Sequence, residues 1–135
     1  MKTLRREDVV GSRILKVEQT FTVVDDWLDS ISTYFTNDRG FIFRFPLRES
    51  VWCESKIPLD AKPLIGRDAA TILNRLITGV FIDPEGDPAE SIIQLDDGRC
   101  LSEFSTAPHG VGATRLYIRT ADQASLSKKL DIFAR

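Results

Sequence analysis

A chain of 135 residues with 42% hydrophobic and 28% charged residues has the composition of one folded domain, long enough to bury a core without disulfides or metal. A formal charge of −2 argues against a nucleic-acid binder, which carries a basic face. No apolar run approaches the length of about 18 residues that a membrane-spanning helix needs, and the opening MKTLRREDVV is followed by no apolar leader.

In chain order, residues 1–7 are polar and read as frayed or extended, and 8–11 have room for one helical turn. Over 13–24, Leu15, Val17, Phe21 and Val23 alternate with Lys16, Glu18, Thr20 and Thr22, the period of a half-buried strand. Residues 30–35 are rich in β-branched and aromatic residues and form a second strand. After a turn at 36–40, Phe41, Phe43 and Phe45 line one face of a third, with Arg44 on the other. A fourth strand is expected over 51–57. Asp68 can cap a short helix at 69–74. A strand over 76–82 follows, then a loop whose two prolines and glycine deny both helix and ladder. The run ESIIQLDDGRCLSEF, 90–104, is a hairpin around Asp96-Asp97-Gly98. An eighth strand falls at 114–119. Leu126, Leu130 and Phe133 make the stripe of a C-terminal helix over 122–133.

The chain also repeats itself. Asp8 to Val17 aligns with Thr71 to Val80 at a constant offset of 63. Both stretches read aliphatic pair, Gly11 or Asn74, two residues, Ile, two residues, Val. Gly and Asn enter left-handed backbone most cheaply, so a turn before a strand is expected at both. The offset falls to 61 at Ser30 and Ser91 and to 59 at Phe45 and Phe104. The expected fold is therefore mainly β, α+β at the margin. It is one domain, 1–135, with an internal duplication of 8–57 and 71–119. Two similar four-stranded antiparallel meanders would form a sandwich or barrel, with a short linking helix and a C-terminal helix.

Chemistry-bearing residues are sparse. His109 is the single histidine, set in a Pro-His-Gly turn, so any Ser–His or Cys–His catalysis has to use it. Cys53 and Cys100 lack metal or redox spacing and sit in strand-like runs, the pattern of inert thiols in a reduced, cytoplasmic protein. Gly110 and Gly112 lack the strand-to-helix context of a phosphate loop. Arg39, Arg44 and Arg48 lie near aromatics, an arrangement that can stack single strands, though the Phe stripe reads more simply as core. No cofactor is expected. Acids concentrate in two places. Asp83, Glu85, Asp87, Glu90, Asp96 and Asp97 run without an intervening Lys or Arg, and Asp25, Asp26 and Asp29 occupy the matching stretch of the first half. The spacing of Asp83, Glu85 and Asp87 lacks the glutamate and flanking helix of an EF-hand. An acidic surface that meets a basic protein partner is the functional reading, with Asp25, Asp26, Asp29, Asp83, Glu85, Asp87, Asp96 and Asp97 as contact residues.

The repeat pattern, with Ser-Ile and Asp-Gly-Arg following it in the second half, resembles small bacterial β-rich single-domain proteins, some of them of immunity type. The resemblance implies a binding or inhibitory role and brings no site residues. The expectation is thus a non-enzymatic binding module whose partner is another protein. The alternative is a small-ligand binder or enzyme using a cleft between the halves, lined by His109 or Asp96. Homo-oligomerisation through strand edges is a further option.

Overall fold

The computed structural model describes residues 2–24, 27–45, 47, 50–64, 67–83, 90–105, 114–120 and 126–134. One helical turn, α1 (Arg6–Val9), precedes a long hairpin of β1 (Ile14–Val24) and β2 (Trp27–Asn37), then β3 (Ile42–Phe45) and the two-residue β4 (Lys62–Pro63). A second short helix, α2 (Arg67–Ile72), leads into β5 (Ile77–Asp83), β6 (Glu90–Leu95), β7 (Arg99–Ser105) and β8 (Thr114–Thr120). A 3-10 turn (Leu126–Lys128), β9 (Leu130–Asp131) and another 3-10 turn (Ile132–Ala134) follow. The strands form two antiparallel sheets, ordered β3-β2-β1-β4 and β8-β7-β6-β5-β9. This is the mainly-β architecture expected, in the sandwich rather than the closed-barrel form.

The two sheets share one core. Val17, Phe35, Phe43 and Phe45 of the first meet Ile77, Val80, Ile93 and Leu101 of the second. Phe35 stacks on Phe43 at 5.5 Å and meets Phe45 edge-on at 5.0 Å. Polar ties cross the same interface. Thr33 donates to the fully buried Glu103 at 2.9 Å, and the Ser91 hydroxyl bonds both the N–H and the carbonyl of Leu47.

At the seam between the sheets, Arg13 and Leu76 form an antiparallel bridge. Ile77 N–H donates to Ser12 and Ile14 N–H to Arg75; Gly11 N–H donates to Ile77 and Asn74 N–H to Ile14. Adding 63 to one bond of each pair gives the other, the geometry of a local twofold axis between Arg13 and Leu76. Gly11 and Asn74 both have positive φ, +88° and +66°. Val9 and Ile72, the last helical residues before these turns, are both fully buried.

Strand pairing continues the correspondence. All six β5–β6 pairs, from Ile77↔Leu95 to Asp83↔Glu90, match β1–β2 pairs from Ile14↔Asn37 to Thr20↔Ser32. The four β2–β3 pairs match β6–β7 pairs. Even the edge strands agree: β4 meets β1 at Glu18 and Gln19, and β9 meets β5 at Phe81 and Ile82. The ladders set the offset beyond the first strand at 58, where side-chain matching suggested 61 and 59. Phe45 therefore corresponds to Glu103, not Phe104. A slip of one residue would turn every side chain to the wrong face.

Four expectations are corrected. Residues 51–57 form isolated bridges at Trp52 and Cys53 instead of a strand, because the segment changes partner from one residue to the next: Trp52 bridges Thr3 of the N-terminal segment and Cys53 bridges Phe43 of β3. The N-terminal segment is accordingly not frayed; Leu4 is buried. The C-terminal stripe is not a helix among the described residues. The β5 edge takes Leu130 and Asp131 as partners, Leu130 is exposed, and Ile132 enters the core instead. Finally, Leu15 does not share Val17's face. A register shift between Ile14 and Lys16 inserts Leu15 as the extra residue of a β-bulge, so Ile14 is buried while Leu15 is 45% exposed.

Candidate functional site

The bulge directs Leu15 into a groove of about 410 Å³ beside the first sheet. One wall is β1, through Leu15, Lys16, Val17 and Glu18; another is Pro63 and Leu64. The third is Ala69, Ala70 and Leu73, from α2 and the turn after it. Leu73, 40% exposed, and Leu15 are the large apolar side chains at its mouth. Each local choice has a reason. Pro63 lies on an edge strand, where a missing N–H costs no ladder bond. Leu64 N–H donates to Val17 at 2.9 Å and fixes that wall. Asn74 in left-handed backbone ends the helix and sends the chain into the seam, which leaves Leu73 at the surface.

The same junction exists in the other half, where α1 sits against the β9 end of the second sheet. There Arg6 pairs with Asp131 at 2.7 Å and lies over the Phe133 ring at 5.6 Å from its centroid. At the corresponding places in the groove, Ala69 stands for Arg6, Pro63 for Asp131 and Leu15 for Thr78. One junction is bridged by an ion pair. Its counterpart presents short or apolar side chains that cannot bridge, while the opening of about 350 Å³ beside the ion pair is lined by the charged Arg5, Arg6 and Glu7.

Among the described residues, the acids at 83 and at 96–97 lie at opposite ends of the second sheet. Asp25, Asp26, Glu85, Asp87 and His109 lie outside the described residues, and Asp29 lies in β2 opposite Thr22 rather than in a loop. Asp83 ends β5 and bonds Lys129 at 2.9 Å; Lys129 also reaches Glu90 at 3.2 Å, and Arg119 pairs with Glu90. With Leu126 packed over Phe81, Ile92 and Cys100, this ion cluster clasps the C-terminal segment to the outer face of the second sheet. Asp96 and Asp97 lie at the opposite end of β6, in its turn to β7. Asp96 is exposed. Asp97 accepts from Arg99 at 2.7 Å and pairs with Arg75 at 3.6 Å. Burial would raise its pKa, but the hydrogen bonds from Arg99 and the charges of Arg99 and Arg75 outweigh that and hold it below the ordinary value. Cys100 is buried, and burial, with Asp97 nearby, pushes its thiol up. Arg44 pairs with Glu54 at 3.4 Å, and Arg39 donates to the carbonyls of Glu7 and Val10 at the end of α1. Both serve the fold.

Among the described residues, no group of three or more His, Cys, Asp and Glu could hold a metal, and no helix is long and apolar enough to cross a membrane. No protein-family model, curated protein or solved structure matches the chain.

Proposed function

We propose that the chain is a protein-binding module that docks apolar side chains of a partner protein in the groove between β1 and α2. The carrying observation is the contrast between the two equivalent junctions. The corresponding junction of the other half is spanned by the Arg6–Asp131 ion pair, and the opening of about 350 Å³ beside it is lined by Arg5, Arg6 and Glu7 as well as Ile132 and Phe133, so what sets the groove apart is its apolar lining with two exposed leucines. Among the described residues, Phe35, Phe43, Phe45 and Leu101 pack into the space between the sheets, which favours a partner that meets the outside of the molecule. Apolar surface rimmed by charge, here Lys16 and Glu18, is the usual composition of a docking site. An inhibitory or immunity-type role is one form such docking takes.

The test is quantitative capture from the source lysate with wild type, a Leu15→Glu/Leu73→Glu double variant, and Leu59→Glu as a control at a fully exposed position away from the groove. The double variant should lose the partner while the control keeps it. Equal capture by all three, or a small apolar molecule retained by wild type with no protein partner, would overturn the reading.

A further inference from the structure

The groove between β1 and α2 has two charges on its lining, Lys16 and Glu18. Lys16 is exposed and Glu18 half-buried. Among the described residues, neither takes part in an ion pair. At the opening beside α1 the charges are paired within the chain, Arg5 with Glu7 and Arg6 with Asp131. The scaffold does not ask for charge at the two positions on β1, since Gly79 and Phe81 hold the corresponding places in β5.

Lys16, Val17 and Glu18 pair in regular register with Thr36, Phe35 and Tyr34, beyond the bulge. Lys16 and Glu18 therefore point to one face of the strand, and Val17 between them points into the core. Opposite charges at that spacing are self-complementary. Turning a second copy about a twofold axis that crosses β1 at Val17 makes the two strands antiparallel and sets Lys16 of each copy against the partner's Glu18. Both residues line the groove, so the same rotation sets the two grooves against each other, each with Leu15 and Leu73 exposed at its mouth. A parallel arrangement would set like charges together.

Resting on the reading of the groove as a protein-docking site, we infer that its partner is a second copy of this chain. Two molecules meet groove to groove about a twofold axis. Leu15 and Leu73 of each are shielded by the other, and two Lys16–Glu18 pairs close the rim. Apolar contact supplies the affinity and the charges fix the register. An interface of one groove and two rim pairs is weak and depends on concentration.

The experiment is sedimentation velocity on the purified full chain over a concentration series. It compares wild type, Lys16→Glu, Glu18→Lys, an equal mixture of those two variants, and Leu15→Glu/Leu73→Glu. Wild type should pass from monomer to dimer as concentration rises, less readily at high salt. Each charge variant should weaken the dimer about tenfold, because it turns two attractive contacts into two repulsive ones. The mixture should recover the wild-type affinity, since the acidic rim of one variant then meets the basic rim of the other. The leucine variant should stay monomeric, with circular dichroism showing that it folds. A wild type that is monomeric at every concentration, a dimer that the leucine variant leaves intact, charge variants that dimerise like wild type, or a mixture that does not recover would overturn the inference. Capture from lysate judges the groove separately. A different protein bound through Leu15 and Leu73, by a chain that is monomeric when pure, would keep the groove as a docking site and remove the second copy as its occupant. A monomeric chain with no leucine-dependent capture would remove both.

Discussion

The two halves of this molecule share one plan and diverge at three places. They agree in the seam, the positive-φ turn, the bulge, the hairpin register and the two-residue edge strand. They differ in the junction between helix and edge strand, in the length of chain that joins the paired strands of the first hairpin, and at the buried position held by Asn37 in one half and Leu95 in the other. The agreement shows what the scaffold requires. The divergence separates requirements of folding from features that folding does not explain, such as the apolar lining of the groove. Common descent of the halves is the proposal that accounts for both.

The comparison can be broken most severely at the core. Phe35 and Ile93 are equivalent and both fully buried. Phe35→Ala should cost about 3–5 kcal/mol and Ile93→Ala about 2–5. Because one core spans both sheets, each should lower a single cooperative transition. Two separate melting steps in calorimetry would show the halves to be independent.

Asn37 sharpens the contrast. It is 1% exposed and corresponds to apolar Leu95. Its amide donates to the Asp8 carbonyl and Ser12 hydroxyl, and its carbonyl oxygen accepts from Arg39 and Phe41. Asn37→Leu should destabilise by roughly 1–3 kcal/mol in denaturant titration, because four partners lose their bonds. Leu95 shows that an apolar residue suits the register, so the loss measures the polar network.

The left-handed pair should respond unequally to the two substitutions. Gly11→Ala forces a Cβ into φ +88°, 3.0 Å from the Arg39 guanidinium, and should cost about 1 kcal/mol. Asn74→Gly at φ +66° should be near neutral. Equal losses at both would argue against equivalent turns.

Smallest is the pH response of Asp97. Its folded pKa is depressed, so its contribution is present above the ordinary value of 3.8 and fades as pH falls through the lowered one. Asp97→Asn should flatten the acid limb of the stability profile and leave stability above pH 5 only slightly reduced, by roughly the worth of an exposed pair, about 0–1 kcal/mol. A steeper limb would reverse the sign.

Much of the fold was legible because strand alternation and turn residues are local signals. Residues 13–24, the hairpin at 90–104 and the offset of 63 all follow from side chains close in sequence. Two-residue strands such as β4 and β9 are too short for any period to register. The stripe Leu126, Leu130, Phe133 satisfied helical spacing, but an available sheet edge at Phe81 and Ile82 decided the conformation. The groove was not legible, since it joins residues 15–18, 63–64 and 69–73 from three elements. Its one trace was Leu15 directly after Ile14, two aliphatics in succession at the start of an alternating strand, which a bulge resolves. The acidic residues were legible as a composition but their ion-pair partners were not, because Lys129 and Arg75 reach Asp83 and Asp97 from distant positions in the chain, with Arg99 joining from two residues away.

The most direct test of the central claim, that the halves differ in function where they differ in structure, is matched photo-crosslinking. A benzophenone amino acid is placed at Ala70, in the groove, and separately at its counterpart Glu7, both exposed. Each protein is irradiated in source lysate. The account predicts a discrete protein adduct from position 70 and none of that mass from position 7. The same adduct from both positions, or from position 7 alone, would contradict it.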